Sequence, residues 1–465
     1  MTYINIPTIN CNNIDFDIIY YDSDCSSNTK DAIYICESLY YYLTNIKKQI
    51  NLYENQWDIY KKFTNPYEYI HSQVPNSKFS VCKHKPLSRS FFKMIEIINT
   101  FSFLTEKKTI KSFHLAEGPG GFIEAFNYKR NNKNDVYYGM TLISNNNNIP
   151  SWKKSSHFLN LNKNIIIENG RSNTGDLFLK ENLQYCYNKY HNSMDYITAD
   201  GGFDFSIDFN KQEDLSLKLI ISQIFFALIM QNTGGHFIIK FFDIFKFKTV
   251  ELIFLLANLY ENIYIYKPNT SRIANSEKYI ICKNYKYVSK DFLTKIINNF
   301  DTILNNIDNI KCLFNISIPK LFINKIQEIN AIYGQQQIEN INSTLNIIRE
   351  FININSKNKN TNDNNGTGRD DKLESNFTVK NLLYNKLNSI ENNVNYLYSS
   401  PELDDITDIT NNNNVDNSSN NTEKYLYDKF YNKINIMKNV NLQKSINWCN
   451  KYSFPINKEF FNKDF

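Results

Sequence analysis

No Cys-x-x-Cys pair occurs in this chain, and its eight cysteines and six histidines are scattered rather than grouped. Structural metal sites need ligands at short, fixed spacing, so no metal is expected. The amino terminus, Met1-Thr2-Tyr3-Ile4-Asn5-Ile6-Pro7, has no basic stretch followed by an apolar run, so it does not read as a signal peptide. The longest apolar run, Leu219 to Met230, is interrupted by Ser222 and Gln223 and is too short to span a bilayer. These absences point to a soluble protein of a reducing compartment, cytoplasmic or nuclear, not secreted and without a membrane partner. A strong charge bias is missing too. The net charge of +5 permits an anionic partner without requiring one.

What is plentiful is Asn, Ile, Lys and Tyr, the coding bias of an AT-rich genome such as that of a large DNA virus or a protist. For a viral protein the compartment would be the cytoplasmic virus factory or the virion. With 465 residues and 42% hydrophobic content, the chain can bury one large core, or one core plus an attached module.

The stretch Phe113–Phe126 organises the rest. Thr109–Leu115 reads as a short buried strand, Gly118-Pro119-Gly120-Gly121 as a tight turn, and Phe122, Ile123 and Phe126 recur at helical spacing. Strand, glycine turn and helix together bring a cofactor against backbone N–H groups and a helix N-terminus. The next strand, Asp135–Leu142, carries Thr141 near its end where a dinucleotide-binding fold carries Asp or Glu. A nicotinamide cofactor is therefore disfavoured.

Residues 1–26 give no assignable pattern, and Lys30–Phe63 repeats apolar residues at helical spacing. Pro66 stops that run, and Ser88 or Ser90 is placed to cap a helix carrying Phe92 and Ile95. Beyond the glycine turn, strands and helices alternate: strands Val136–Leu142, Asn164–Glu168 and Asp195–Ala199, helix Gln212–Gln231, strand His236–Phe241, helix Thr249–Tyr260 and strand Asn262–Tyr266. This is the pattern of an α/β fold with an open, mostly parallel sheet. Lys278–Lys283 follows too closely for a helical crossover, so it should lie antiparallel. The expected organisation is a helical region at 1–74, the α/β domain at 75–288 and a helical extension at 289–354. A low-complexity linker at 355–376 and a helical region at 377–465 with an Asn-rich insertion at 411–422 complete it.

Ligands of open α/β sheets bind at the carboxyl ends of the parallel strands. Asp200 and Lys240 end two of those strands, and Glu277 begins the antiparallel one, at the same edge. Lys93, in the helix entering the first strand, can reach that edge. Each residue alone has an ordinary explanation as a cap or a surface charge. Their convergence beside a glycine turn does not.

Lys93, Asp200, Lys240 and Glu277 resemble, in type and order, the Lys-Asp-Lys-Glu tetrad of FtsJ-like ribose 2′-O-methyltransferases. The surrounding words resemble the cap-specific mRNA branch of that family. They are Gly-Pro-Gly-Gly-Phe at 118–122, Gly-Met-Thr-Leu at 139–142, Ala-Asp-Gly-Gly-Phe at 199–203, Gly-Gly-His-Phe at 234–237 and Lys-Pro-Asn-Thr-Ser-Arg with Asn-Ser-Glu at 267–277. Asn65-Pro66-Tyr67-Glu68 also matches a segment upstream of the first lysine. His114 stands where the family's first strand usually holds an acid, with Glu117 three residues later.

The resemblance implies a Rossmann-like methyltransferase fold with a mostly parallel, seven-stranded sheet flanked by helical regions. It implies transfer of a methyl group from S-adenosyl-L-methionine to a ribose 2′-hydroxyl at the cap-proximal nucleotide of mRNA. Lys240 would direct and activate that hydroxyl, positioned by Asp200 and Glu277, with Lys93 offsetting their charge. The cofactor would meet Gly118, Pro119, Gly120, Gly121, Phe122, Thr141 and Asp200, with Asp176 at the adenine amine. Capped RNA would meet Lys83, Lys85, Arg89, Asn210, Gln212, Ser271 and Arg272, and other capping or transcription proteins are further candidate partners. Two readings stay open beside this one: a ribosomal or transfer RNA ribose methyltransferase, and a non-catalytic RNA-binding capping subunit.

Overall fold

The computed structural model describes residues 3–8, 14–21, 34–105, 107–144, 146, 149–202, 209–315, 317–360 and 418–461. It divides into two compact units, Met1–Lys48 with Lys85–Glu339, and Gln49–His84 with Asn340–Phe465.

The strands are β1 (Ile4–Ile6), β2 (Phe16–Tyr20), β3 (Lys111–Leu115), β4 (Val136–Met140), β5 (Ile165–Ile167), β6 (Met194–Ala199), β7 (Gln231–Phe241), β8 (Tyr260–Tyr266), β9 (Lys278–Tyr285) and β10 (Ile310–Phe314). The helices are α1 (Glu37–Ile50), α2 (Glu54–Tyr60), α3 (Ser90–Thr100), α4 (Gly121–Arg130), α5 (Ser156–Leu161), α6 (Lys180–Tyr190), α7 (Gln212–Met230), α8 (Phe247–Leu259), α9 (Lys290–Asn306), α10 (Lys320–Asn360) and α11 (Ser418–Lys451).

The first unit is built on a sheet of eight strands in the order β1-β8-β9-β7-β6-β3-β4-β5. Strands β5, β4, β3, β6 and β7 pair in parallel, while β9 runs antiparallel to both β7 and β8. This is the Rossmann-like methyltransferase arrangement, with one strand more than the sequence led us to expect. The addition is β1, antiparallel to β8, from residues that showed no pattern. Three residues are too few for a period to register.

The apolar run that opens no membrane path forms α7, buried on nearly every side. A helix hydrophobic all round belongs in a core. Its Phe225, Phe226, Ile229 and Met230 are each fully buried, every such side chain contributing about 1.5–3 kcal/mol. Among the described residues, no helix is long and apolar enough to cross a membrane. Region 289–354 departs from the expected all-helical reading, because β10 intervenes between α9 and α10 and pairs with β2.

In the second unit, Tyr60, Phe351 and Phe430 meet ring to ring, and Asn441 Nδ2 donates to the Phe63 carbonyl at 2.7 Å. The Asn65–Glu68 segment belongs to this unit. Two boundaries are corrected. Helix α10 continues to Asn360 through residues expected in the linker, and α11 begins at Ser418, inside the expected Asn-rich insertion. Asn, Ser and Lys at a helix end carry no periodic signal, so composition alone misplaces such boundaries. The rest of the linker, the expected helix Val379–Tyr396 and residues 411–417 lie outside the described residues.

Candidate active site

The sheet register assembles the site. Ala199 on β6 pairs with Ile239 on β7, so the next residues, Asp200 and Lys240, stand side by side. Lys240 pairs with Tyr279 and Phe241 with Lys278, which puts Glu277 just beyond the last rung. The Lys240 ammonium donates to the Asp200 carbonyl at 2.7 Å and lies 3.3 Å from Asp200 Oδ1. Tyr279 donates its hydroxyl to the same Oδ1 at 2.8 Å. The Lys240 Nζ also sits over the Phe242 ring, 5.5 Å from its centroid.

Helix α3 supplies Lys93, whose Nζ meets Glu277 Oε1 at 2.7 Å. Both side chains are less than a tenth exposed. Burial lowers the Lys93 ammonium below its usual range, against the pull of Glu277 and Asp200. For Glu277, burial is the largest influence and acts upward. Lys93, Lys240 and Lys267 outweigh it and hold the carboxyl well below the ordinary range. The carboxylate is therefore ionised, as the partner of an ammonium should be. Ser271 donates to Glu277 Oε1 at 2.8 Å.

Helix α3 does a second job. Glu96, fully buried one turn from Lys93, accepts from the backbone N–H groups of Asn269 and Thr270 at 2.8 Å each. Arg89 Nη2 donates to the Thr270 carbonyl at 3.1 Å. The helix that delivers Lys93 thus also grips the segment that delivers Glu277. Glu96 was missed in the sequence, although a carboxylate among Phe91, Phe92, Met94, Ile95, Ile97 and Ile98, all buried, had nowhere to go but inward. Neither Ser88 nor Ser90 caps α3, since its N-cap is Arg89 and no side chain bonds there. The two hydroxyls lie 2.5 Å apart and face Gly121, where a Cβ would come within 2.1 Å of Ser90 Oγ.

At the glycine turn, Gly120 adopts φ +110° as the N-cap of α4, a conformation open to glycine alone at low cost. Glu117 Oε1 accepts from the N–H groups of Phe122 and Ile123 at 2.7 and 3.0 Å, so a carboxyl closes this helix end. Burial pushes that carboxyl up to about 8. His114 is fully buried between Ser112 and Thr198 hydroxyls at 2.8 and 2.7 Å, and burial lowers it to about 3. A neutral core histidine results.

Thr141, beyond β4, sits between two glycines. A Cβ on Gly118 would lie 3.0 Å from its Oγ1, and one on Gly175 would lie 2.0 Å from its carbonyl oxygen. The turn, Thr141 and the loop bearing Asp176 therefore meet at the ends of β3 and β4. Asp176 Oδ1 accepts from the Phe178 N–H at 2.8 Å, while its Oδ2 has no partner among the described residues. The Trp152 ring covers Gly120 and Gly139. A glycine turn packed closely on Thr141 and Trp152 and the partly exposed Asp176 carboxylate stand together at this end of the sheet, an assembly that suits a nucleoside-bearing cofactor.

Several expected contacts turn inward instead. Phe122 is fully buried, its ring 6.0 Å from that of Tyr279, and its N–H is spent on Glu117. Gln212 accepts from the Ser276 hydroxyl at 2.8 Å, and Ser271 is taken up by Glu277; both are buried. Lys85 is exposed, and Asn210 and Arg272 are partly exposed. Lys83 belongs to the second unit, where its N–H donates to the Pro455 carbonyl at 2.8 Å. Residues 203–208, including the last residue of the word at 199–203, lie outside the described residues.

Comparison with known proteins bears on the same stretch. A family model described as FtsJ-like methyltransferase matches residues 86–285. Cap-specific mRNA (nucleoside-2′-O-)-methyltransferase 2 of Danio rerio is 29% identical over 330 residues, covering 67% of this chain and 43% of its own length. Cap-specific mRNA (nucleoside-2′-O-)-methyltransferase 1 of Mus musculus is 33% identical over 222 residues, covering 46% of this chain and 26% of its own. The chain thus spans less than half the length of these relatives. The four ionic residues, the glycine turn and the clamp from Glu96 all fall within residues 86–285, the span over which this chain matches the FtsJ-like methyltransferase model.

Proposed function

We propose that this chain methylates the ribose 2′-hydroxyl of a cap-proximal nucleotide of mRNA. The observation that carries the reading is the pairing at one sheet edge of Lys240 with Asp200 and of Lys93 with Glu277. S-adenosyl-L-methionine, when bound, supplies an electrophilic methyl group. Gly118, Gly120, Thr141 and Asp176 would hold it.

The protein's own task is to aim a weakly acidic hydroxyl and to receive its proton as charge develops. Lys240 suits the aiming because it is one-tenth exposed and fixed on two sides by Asp200; its ammonium steers the oxygen on which charge develops, and it can take the proton only after releasing one of its own. Gly202 keeps the space beside it clear, since a Cβ there would lie 3.0 Å from Lys240 Nζ. Asp200, oriented by Tyr279, holds the lysine in register. Glu277 and Lys93 form a neutral, buried pair behind it and fix the field at the edge without exposing a further charge. Lys85, Arg89 and Arg272 would meet the triphosphate of the incoming 5′ end, and the protein would work where caps are made, in nucleus or cytoplasm.

The test is methyl transfer to matched capped and uncapped transcripts, with the methyl located by nuclease digestion. Stacking of the cap guanine should be worth about 1–3 kcal/mol. Removal of the cap should therefore lower catalytic efficiency at least about tenfold. Equal rates on capped RNA and on an internal ribosomal RNA fragment would move the assignment to ribosomal or transfer RNA. No transfer to any RNA would leave a binding subunit.

A further inference from the structure

The segment between β8 and β9 brings Glu277 to the site, yet it contains only turns and coil. Side chains must therefore fix it. Lys267 opens the segment and Glu277 closes it. The Lys267 ammonium donates to the Asn275 carbonyl at 2.6 Å, to Asn275 Oδ1 at 3.0 Å and to the Glu277 carbonyl at 2.8 Å. All three of its N–H groups are spent on the far end of its own loop.

That arrangement is expensive. Lys267 is only 4% exposed, and among the described residues no carboxylate pairs with it. A buried ammonium is costly to desolvate, and burial draws this one down to about 7. A neutral amide could close a loop without that cost. The charge does something an amide would not, because Lys267 is among the groups that keep Glu277 ionised.

We propose that Lys267 is a positioning residue for methyl transfer: its ammonium closes the 267–277 segment into a ring and holds the Glu277 carboxylate against Lys93. The proposal rests on the methyltransferase reading above. The charged and titratable groups that face Lys267 are Glu277 and Lys278 at the start of β9, Lys93 on α3, Asp243 beyond β7 and the Tyr333 hydroxyl on α10.

Two arms test it. In the kinetic arm, Lys267→Gln lowers kcat on capped RNA about tenfold or more. Its KM and its affinity for S-adenosylhomocysteine stay within about twofold, the split expected when alignment rather than binding is lost. Lys267→Arg, which keeps the charge, recovers most of the loss. In the spectroscopic arm, wild-type protein labelled at lysine 13Cε is titrated with pH. The Lys93 signal, assigned by its loss in Lys93→Ala, shifts with the midpoint at which Lys267 loses its proton. A wild-type kcat in Lys267→Gln overturns the proposal, as does a Lys93 signal blind to the Lys267 titration. Should Lys267→Gln not fold, the wild-type titration decides. Should the wild type methylate no RNA, the functional reading falls, and the titration still judges Lys267.

Discussion

The two ends of the central strands hold the same kinds of residue and use them in opposite ways. At the amino ends, Asp135 is fully buried. It accepts from Arg130 Nε and Nη2 at 2.7 and 3.0 Å, from the Ile110 N–H at 2.9 Å, from Asn132 at 3.2 Å and from the Tyr137 hydroxyl at 3.0 Å. Arg130 in turn donates to the carbonyls of Leu104, Lys107 and Lys108. Every lone pair and proton is spent inside the protein. At the carboxyl ends, Asp200 is 14% exposed and its Oδ2 has no partner among the described residues. A closed cluster can only stabilise, whereas an open one keeps capacity for a ligand. Chemistry is to be sought where an ion pair is left incomplete.

The sharpest way to break this comparison is Lys240→Ala. At the open end it should lower methyl transfer by about a thousandfold, within the range for loss of a proton-handling group. Binding of S-adenosylhomocysteine and the melting temperature should change little. Unaltered turnover would mean that the open cluster is not the reacting one. The converse is Arg130→Ala at the closed end. Removing one partner of a buried pair costs about 3–5 kcal/mol, so urea unfolding should shift markedly while kcat per folded molecule holds. A variant that loses activity at full stability would erase the contrast.

A finer cut is Gly202→Ala. Its methyl would press on the Lys240 ammonium from 3.0 Å. We expect kcat to fall about tenfold, or about 1.4 kcal/mol in the barrier, and stability to stay nearly level. A last test lies at the glycine turn and is read in the pH dependence of stability rather than in rate. Burial raises Glu117 from 4.5 to about 8, so between those values the folded state holds a proton that the unfolded state has released. Stability from this source is in place below the unfolded value and is lost as pH rises through 8. Glu117→Gln keeps an acceptor for the Phe122 and Ile123 N–H groups and removes the titration. Its melting temperature should vary less than the wild type's between pH 5 and about 9. Parallel profiles would show that Glu117 is ionised in the folded state.

Much of this was legible from residue order. The strand entering the glycine turn located β3, and the alternation beyond it located β4 to β9, because runs such as Ile263–Tyr266 and Phe237–Phe241 are apolar and bounded. Strand ends then placed Asp200, Lys240 and Glu277 together, since a parallel sheet aligns its carboxyl ends. What escaped was of two physical kinds. Strands β1 and β10 are short and owe their conformation to a partner distant in sequence, β8 and β2 respectively. Glu96 and Lys267 are charged side chains turned inward, and a charge reads as surface until its buried partners are seen. Ser271, in a family word, and Gln212, in the polar segment before α7, were expected at the RNA; in the structure Ser271 bonds Glu277 and Gln212 bonds Ser276.

The grip of Glu96 on Asn269 and Thr270 spans 173 and 174 positions of the chain. During synthesis, then, α3 emerges long before the loop it holds. At about 5–20 residues per second, the 277 − 93 = 184 residues from Lys93 to Glu277 occupy the ribosome for roughly 10–40 s. Through that interval Lys93 and Glu96 have no ionic or backbone partner from the β8–β9 loop, and water must serve them. Contacts this distant in sequence are slow to form. The ionic edge is therefore completed long after the glycine turn, and a chain halted before residue 277 would carry the turn complete and the pairing of Lys93 with Glu277 unmade.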